Sequence, residues 1–170
     1  AEPRHRGMSL LLVERDPGFQ VARGLEKLGY KGIDTGELIF EDCRVLADRL
    51  ICGTGGCGLQ QILGGPESGG MNAAARGVGI ARACLEESIA YAQVRKTFGK
   101  AIGEHQAIQI KLADMATRVE AARLLTASAA EAYDTGERCA MEAGMAKLFA
   151  SEAAISNSMD AMRIHGAYGY

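Results

Sequence analysis

The stretch Arg95-Lys96-Thr97-Phe98-Gly99-Lys100-Ala101-Ile102, continuing into Gly103-Glu104-His105-Gln106, brings together a fork-shaped cation, an aromatic ring, a turn glycine and an amide. Arg95 can hold a pyrophosphate bidentately, Phe98 can pack on a nucleotide, and Gln106 can donate and accept hydrogen bonds to it. The same types also suit a helix end, with Arg95 and Lys96 meeting the helix dipole, Phe98 anchoring a core and Gly99 starting a turn. A second stretch, Ile164-His165-Gly166-Ala167-Tyr168-Gly169-Tyr170, offers glycines that free the backbone for close contact with a ligand, or simply a helix stop with aromatic packing. His165 has no carboxylate or cysteine beside it in sequence and reads as structural.

Other chemistries find no foothold. Glu104 and His105 are adjacent, which sets them about 100° apart on a helix, and Glu-x-x-His pairs for a carboxylate-bridged metal site are absent, so no metal is expected. Gly53-Thr54-Gly55-Gly56 is glycine-rich but lacks the Lys-Ser/Thr of a phosphate loop. Five cysteines show no zinc or disulfide spacing, which fits a reducing compartment. Nineteen Lys and Arg against 21 Asp and Glu leave a net charge of −2, with no electrostatic footprint for nucleic acid or an anionic membrane. No run approaches the ~20 apolar residues of a membrane span.

The elements that must position these residues follow from periodicity. Residues 8–45 read as short strands: 10–13, a turn at Asp16-Pro17-Gly18, 19–21, and 37–40. Too few to stand alone, they are expected to finish an antiparallel sheet begun upstream. Residues 51–70 are glycine-dense, with Pro66, and are expected to be a linker holding at most a short helix at 59–63. Beyond Gly70 proline is absent and alanine abundant, so the remainder is expected to be helical. A first helix over 72–94 would present Ala75, Val78, Gly79, Ala83 and Ala90 and be the central, most buried one. A second, over 103–133, carries Ile108, Leu112, Met115, Val119 and Ala122 on one stripe. A third, over 137–164, carries Met141, Met145, Leu148, Glu152, Ile155, Met159 and Met162 at the same spacing. The fold class is mainly α: an up-and-down bundle supplying three long helices of a four-helix bundle, preceded by a few strands of an incomplete antiparallel β-domain. Domains are expected at 1–50, 51–70 (linker) and 71–170, with the bundle truncated; lacking an initiator Met, the chain reads as a fragment.

Taken in order, these segments resemble the acyl-CoA dehydrogenase family from end to end. The resemblance is carried by Leu12-Val13-Glu14 with Pro17-Gly18-Phe19, Lys27-Leu28-Gly29, Asp34-Thr35, and Glu37-Leu38-Ile39-Phe40-Glu41-Asp42. It continues through Tyr91-Ala92-x-x-Arg95-x-x-Phe98-Gly99-Lys100, Gln106-Ala107-Ile108-Gln109, and Ala146-Lys147 with Ser151-Glu152-Ala153. It implies the end of a middle β-domain followed by most of a C-terminal helical domain. It also implies FAD bound across a homo-oligomer interface, dimer or tetramer. Arg95, Phe98 and Gln106 would reach the adenine and pyrophosphate end of a neighbouring subunit's flavin, and Arg163, Gly166 and Ala167 would form a second cofactor contact. Arg163 departs from the family's usual Gln, Ala167 from a second Gly, and Gly70 from a common arginine near the substrate.

The chemistry implied is α,β-dehydrogenation of an acyl-CoA thioester: a glutamate takes the α-proton, the β-hydrogen passes to the flavin as hydride, and an electron-transfer flavoprotein takes the electrons. No catalytic base is expected within the chain. Gly69 stands where a minority of members carry it, Glu67 would point elsewhere on a helix, and the usual position lies beyond Tyr170. An acyl-CoA oxidase and a non-catalytic partner subunit are the alternatives. The compartment implied is the bacterial cytoplasm or the mitochondrial matrix.

Overall fold

The computed structural model describes residues 7–15, 18–51, 53–64, 66–136 and 138–170. The chain divides into two compact units, Ala1–Gly64 and Gly65–Tyr170.

In the first unit, β1 (Phe19–Gly24) pairs antiparallel with β2 (Gly36–Phe40), in a register that sets Phe19 opposite Phe40 and Val21 opposite Leu38. The Phe19 and Phe40 rings stack at 5.1 Å, and a bulge between Val21 and Arg23 shifts the pairing so that Arg23 meets Glu37 at 2.8 Å. The strand expected at 10–13 is not formed. Only Leu11 bridges to Leu50, because this extended segment meets a neighbour in passing, through Leu12 N–H to the Arg49 carbonyl and Ile51 N–H to the Leu10 carbonyl. Of the turn expected at Asp16-Pro17-Gly18, the first two residues lie outside the described residues. The short helix α1 (Gly58–Gly64) ends the unit.

The second unit is built on α2 (Pro66–Val94), α3 (Gln106–Asp134) and α4 (Ala140–His165). α2 begins at Pro66, six residues ahead of the expected start at 72, since proline at a first helical turn loses no hydrogen bond. The α3 stripe is as expected: Met115, Val119 and Ala122 are buried, with Ile108 and Leu112 packed beside them.

The other two helices are phased differently from expectation. On α2 the buried positions are Ala74, Gly77, Ala81, Ser88 and Ala92, whereas Ala75, Gly79, Ala83 and Ala90 face outward and Val78 is half-buried. On α4 the alanine face is buried (Ala143, Ala146, Ala150, Ala153, Ala154), and the stripe from Met141 to Met162 is exposed in this chain. α4, rather than α2, is the most buried helix. The reason is the closeness of the packing. A Cβ at Gly77 would stand 2.7 Å from the Ala150 carbonyl oxygen, so the α2–α4 seam admits only small side chains.

One polar side chain ties the bundle together. Asn157, fully buried on α4, donates from Nδ2 to the carbonyls of Ala81 on α2 and Met115 on α3, both at 3.1 Å. Its Oδ1 accepts from Arg118 at 3.2 Å, so the buried amide is satisfied on both sides.

Candidate functional site

The first sequence-predicted stretch is a compact hairpin between α2 and α3. Arg95 follows the last residue of α2 and its carbonyl accepts from Ile102 N–H at 2.8 Å, closing β3 (Lys96–Thr97) against β4 (Lys100–Ala101). Two residues span the turn, Phe98 at φ 51° and Gly99 at φ 82°. Positive φ at both central residues is the geometry of a type I′ hairpin, natural to glycine but unfavourable for phenylalanine. Phe98 is nevertheless held there, with its ring 97% exposed and only its edge touching His105, at 6.2 Å between centroids. It does not anchor the core; that task falls to buried Ile102, which clusters with Ala92, Met115 and Ile164.

Beneath the hairpin each polar group has a structural role. Glu104 Oε1 accepts from Ala101 N–H at 3.2 Å, Lys100 Nζ donates to the Glu104 carbonyl at 3.1 Å, and His105 Nε2 lies 3.3 Å from Thr97 Oγ1. Gln109 donates to the Gly103 carbonyl at 3.0 Å. Arg95 and Gln106 remain exposed, the latter as the first residue of α3.

The second stretch caps α4. Gly166 takes φ 60° and donates to the Met162 carbonyl, and a 3-10 turn (Gly166–Gly169) follows. The His165 ring stacks on Tyr91 at 4.5 Å, its Nδ1 lies 2.9 Å from the Ala161 carbonyl oxygen, and Tyr168 leans on the same Tyr91 ring at 6.4 Å. His165 is thus a packing residue. Tyr91 lies one turn before Arg95, so the stack and the buried cluster that includes both Ile102 and Ile164 bring Arg95, Phe98, Gln106, Arg163, Gly166 and Ala167 to one end of the bundle.

Sequence reasoning missed the cluster behind Arg163. Asp160, one of the few buried charged groups, accepts from Arg118 at Oδ2 (2.9 Å), and at Oδ1 from Lys111 (3.4 Å) and Arg163 (3.1 Å). Burial raises its pKa, but the hydrogen bonds from Arg118 and Arg163, with the charge and bond of Lys111, outweigh it and hold the carboxyl below its ordinary value. The available signal was an Asn and an Asp on the alanine face of α4, where a buried polar group must find a partner.

This end of the bundle suits an anionic nucleotide. Arg95, Lys96, Lys100 and Arg163 supply charge, Phe98 supplies an open ring face, and a side chain at Gly166 would meet nothing within 4 Å, so the backbone there is approachable. A cleft of about 730 Å³ lies along β1 and β2 beside Leu25, Lys27 and Ile33, and none of Arg95, Lys96, Phe98, Lys100, Arg163 and Gly166 lines it.

A family model for the C-terminal domain of acyl-CoA dehydrogenases matches residues 56–170. The chain belongs to the acyl-CoA dehydrogenase family. It is 45% identical over 168 residues to an acyl-CoA dehydrogenase of Bacillus subtilis, covering 98% of this chain and 44% of that protein. It is 40% identical over 168 residues to the human mitochondrial short-chain specific acyl-CoA dehydrogenase, covering 98% and 40%. The acyl-CoA dehydrogenase of Geobacillus kaustophilus superposes with a TM-score of 0.93 at 37% identity, over 100% of this chain and 45% of that one. The chain therefore spans less than half the length of these acyl-CoA dehydrogenases. Among its described residues no helix is long and apolar enough to cross a membrane.

Proposed function

We propose that the complete protein is an FAD-dependent acyl-CoA dehydrogenase. In this reading residues 1–50 end its middle β-domain, 51–70 lead across, and 71–170 form most of its helical domain. The observation that carries the reading is Phe98: an exposed aromatic ring held at positive φ, between the exposed Arg95 and Gln106. Unfavourable backbone geometry at an exposed apolar residue is what a contact with another molecule explains.

Arg95 would hold the pyrophosphate of the dinucleotide, Phe98 would cover its adenine end, and Gln106 would hydrogen-bond it. Arg163 and the Gly166-Ala167 backbone would form the second contact. When bound, FAD supplies the two-electron acceptor for α,β-dehydrogenation of an acyl-CoA thioester. The chain's own residues anchor and orient its nucleotide half. Gly69 and Gly70, both within α2, carry no side chain for proton abstraction, and in this reading the base is supplied from outside this chain. The side chain of Glu67 lies outside the described residues. Electrons are proposed to pass to an electron-transfer flavoprotein. The exposed α4 stripe supports assembly as a homo-oligomer. The cofactor is proposed to be shared between subunits, and the compartment to be the bacterial cytoplasm or the mitochondrial matrix, as the bacterial and mitochondrial relatives suggest.

A second reading, a non-catalytic partner subunit, is favoured by Gly70, Arg163 and Ala167. The purified complete protein decides between them by its visible flavin band and by anaerobic addition of a panel of acyl-CoA thioesters. Bound flavin bleached by a thioester is expected. A folded, assembled protein without flavin would sink the enzyme reading. Rapid peroxide release in air would point to an oxidase.

A further inference from the structure

An arginine at an exposed helix end ordinarily makes a poor clamp, because its long side chain must be ordered when the ligand arrives and a surface ion pair does little to hold it. Arg163 is placed differently. It is 60% exposed, but its partner three residues earlier is not at the surface: the Asp160 side chain is only 9% exposed. That carboxylate also has partners other than Arg163. Its Oδ2 accepts from Arg118 at 2.9 Å, and Arg118 is held in turn by the buried Asn157 that ties α2, α3 and α4 together. Its Oδ1 also accepts from Lys111, two turns before Arg118 on the same face of α3.

Two consequences follow from this geometry. Arg163 engages Asp160 through Nη1 alone, leaving Nη2 and Nε with no acceptor among the described residues and therefore available to a ligand. The cluster also stays cationic: three cations, Lys111, Arg118 and Arg163, surround one carboxylate, and no other carboxylate among the described residues pairs with them. An approaching phosphate therefore meets a surplus of positive charge despite the anion within.

We infer that Asp160 is a positioning residue for the cofactor, a buried carboxylate that orients the Arg163 guanidinium toward the phosphates of the dinucleotide while Lys111 and Arg118 hold it in place. The inference rests on the proposed FAD contact of Arg163. It assigns Asp160 a role through Arg163, distinct from its part in joining the helices.

The test is a double-mutant cycle on the complete protein, stripped of flavin, reading both the FAD dissociation constant and the apoprotein melting temperature. D160N is expected to weaken FAD binding about tenfold, the scale of one misdirected charge-assisted hydrogen bond. In the R163M background, which has no donor at this position, the same change is expected to shift affinity by less than about twofold. The loss of melting temperature persists in both backgrounds, because Asp160 joins the helices in either. Equal weakening in both backgrounds overturns the inference, since Asp160 would then act through the fold alone. Unchanged or tighter binding by D160N also overturns it, since the carboxylate would then only compete with the phosphates. Should D160N fail to fold, K111M slackens the same carboxylate from a half-exposed site, and its effect on FAD affinity must likewise vanish with R163M. If R163M, which has no donor, leaves the FAD dissociation constant unchanged, the Arg163 contact itself is wrong, an outcome separable from failure of the cycle.

Discussion

At the scale of single residues, the proposed cofactor site includes a turn whose geometry works against stability. Phe98 and Gly99 close a two-residue hairpin in which both φ angles are positive, and only the second position suits its residue. The cost of a non-glycine residue in this region is about 1 kcal/mol, and the exposed ring recovers none of it by burial. Phe98→Asn creates the favoured Asn-Gly turn. It is expected to raise the stability of the apoprotein by about 1 kcal/mol in thermal unfolding and to weaken FAD binding in titration. Tighter FAD binding by that variant would remove Phe98 from the cofactor contact. The composition of this turn was legible in the sequence, but its two readings were not separable there. Both used the same residue types, and the placement of Ile102 in the core, with Phe98 outside it, removes only the core-anchor role of Phe98.

At the scale of elements, the sequence was informative where side chains differ in size and uninformative where they do not. On α3 the large residues Met115 and Val119 mark the buried face, and periodicity finds it. On α2 alanine and glycine occupy both faces, so a period of small residues does not fix the phase. On α4 the largest residues form the more regular stripe, yet the alanines face inward because the α2–α4 seam is too close for anything larger. Asn157 and Asp160 lie on that same alanine face, which is why a search for apolar repeats passed over them. The closeness of the seam gives a test of opposite signs within one helix. Gly77→Ala gains about 1 kcal/mol of helix propensity but drives a methyl against the Ala150 backbone, which cannot rotate away. Overpacking of this kind costs about 1–3 kcal/mol, so a net loss is expected in denaturant unfolding. Gly79→Ala, two residues on and open to solvent, has nothing within 4 Å of the new methyl and is expected to gain about 1 kcal/mol. Two changes of the same sign would show that α2 does not pack on α4 as described.

At the scale of the whole molecule, the outward stripe of α4 is exposed among the described residues. Met141, Met145, Leu148, Glu152, Ile155, Met159 and Met162 are spaced alternately by four and three, the pattern of a helix seam that inserts its side chains between those of another helix. Leu148 and Ile155 are 63% and 61% exposed, and the row runs about 30 Å along the helix, a long apolar line for a monomer to leave in water. In the proposed flavoenzyme, residues of one subunit reach the cofactor of another, so a contact that holds subunits together would also support cofactor binding. Paired substitution of Leu148→Glu and Ile155→Glu places two charges beside Glu152 on the same line. Light scattering of the complete protein is expected to show a smaller assembly, with helicity retained and FAD bound more weakly. If the stripe is instead covered by another segment of the same chain, the double substitution lowers the melting temperature and helicity while the remaining folded protein keeps its assembly state. Assembly, stability and FAD affinity all unchanged would mean that the stripe is solvent-facing in the complete protein, and would remove the structural support for the oligomer.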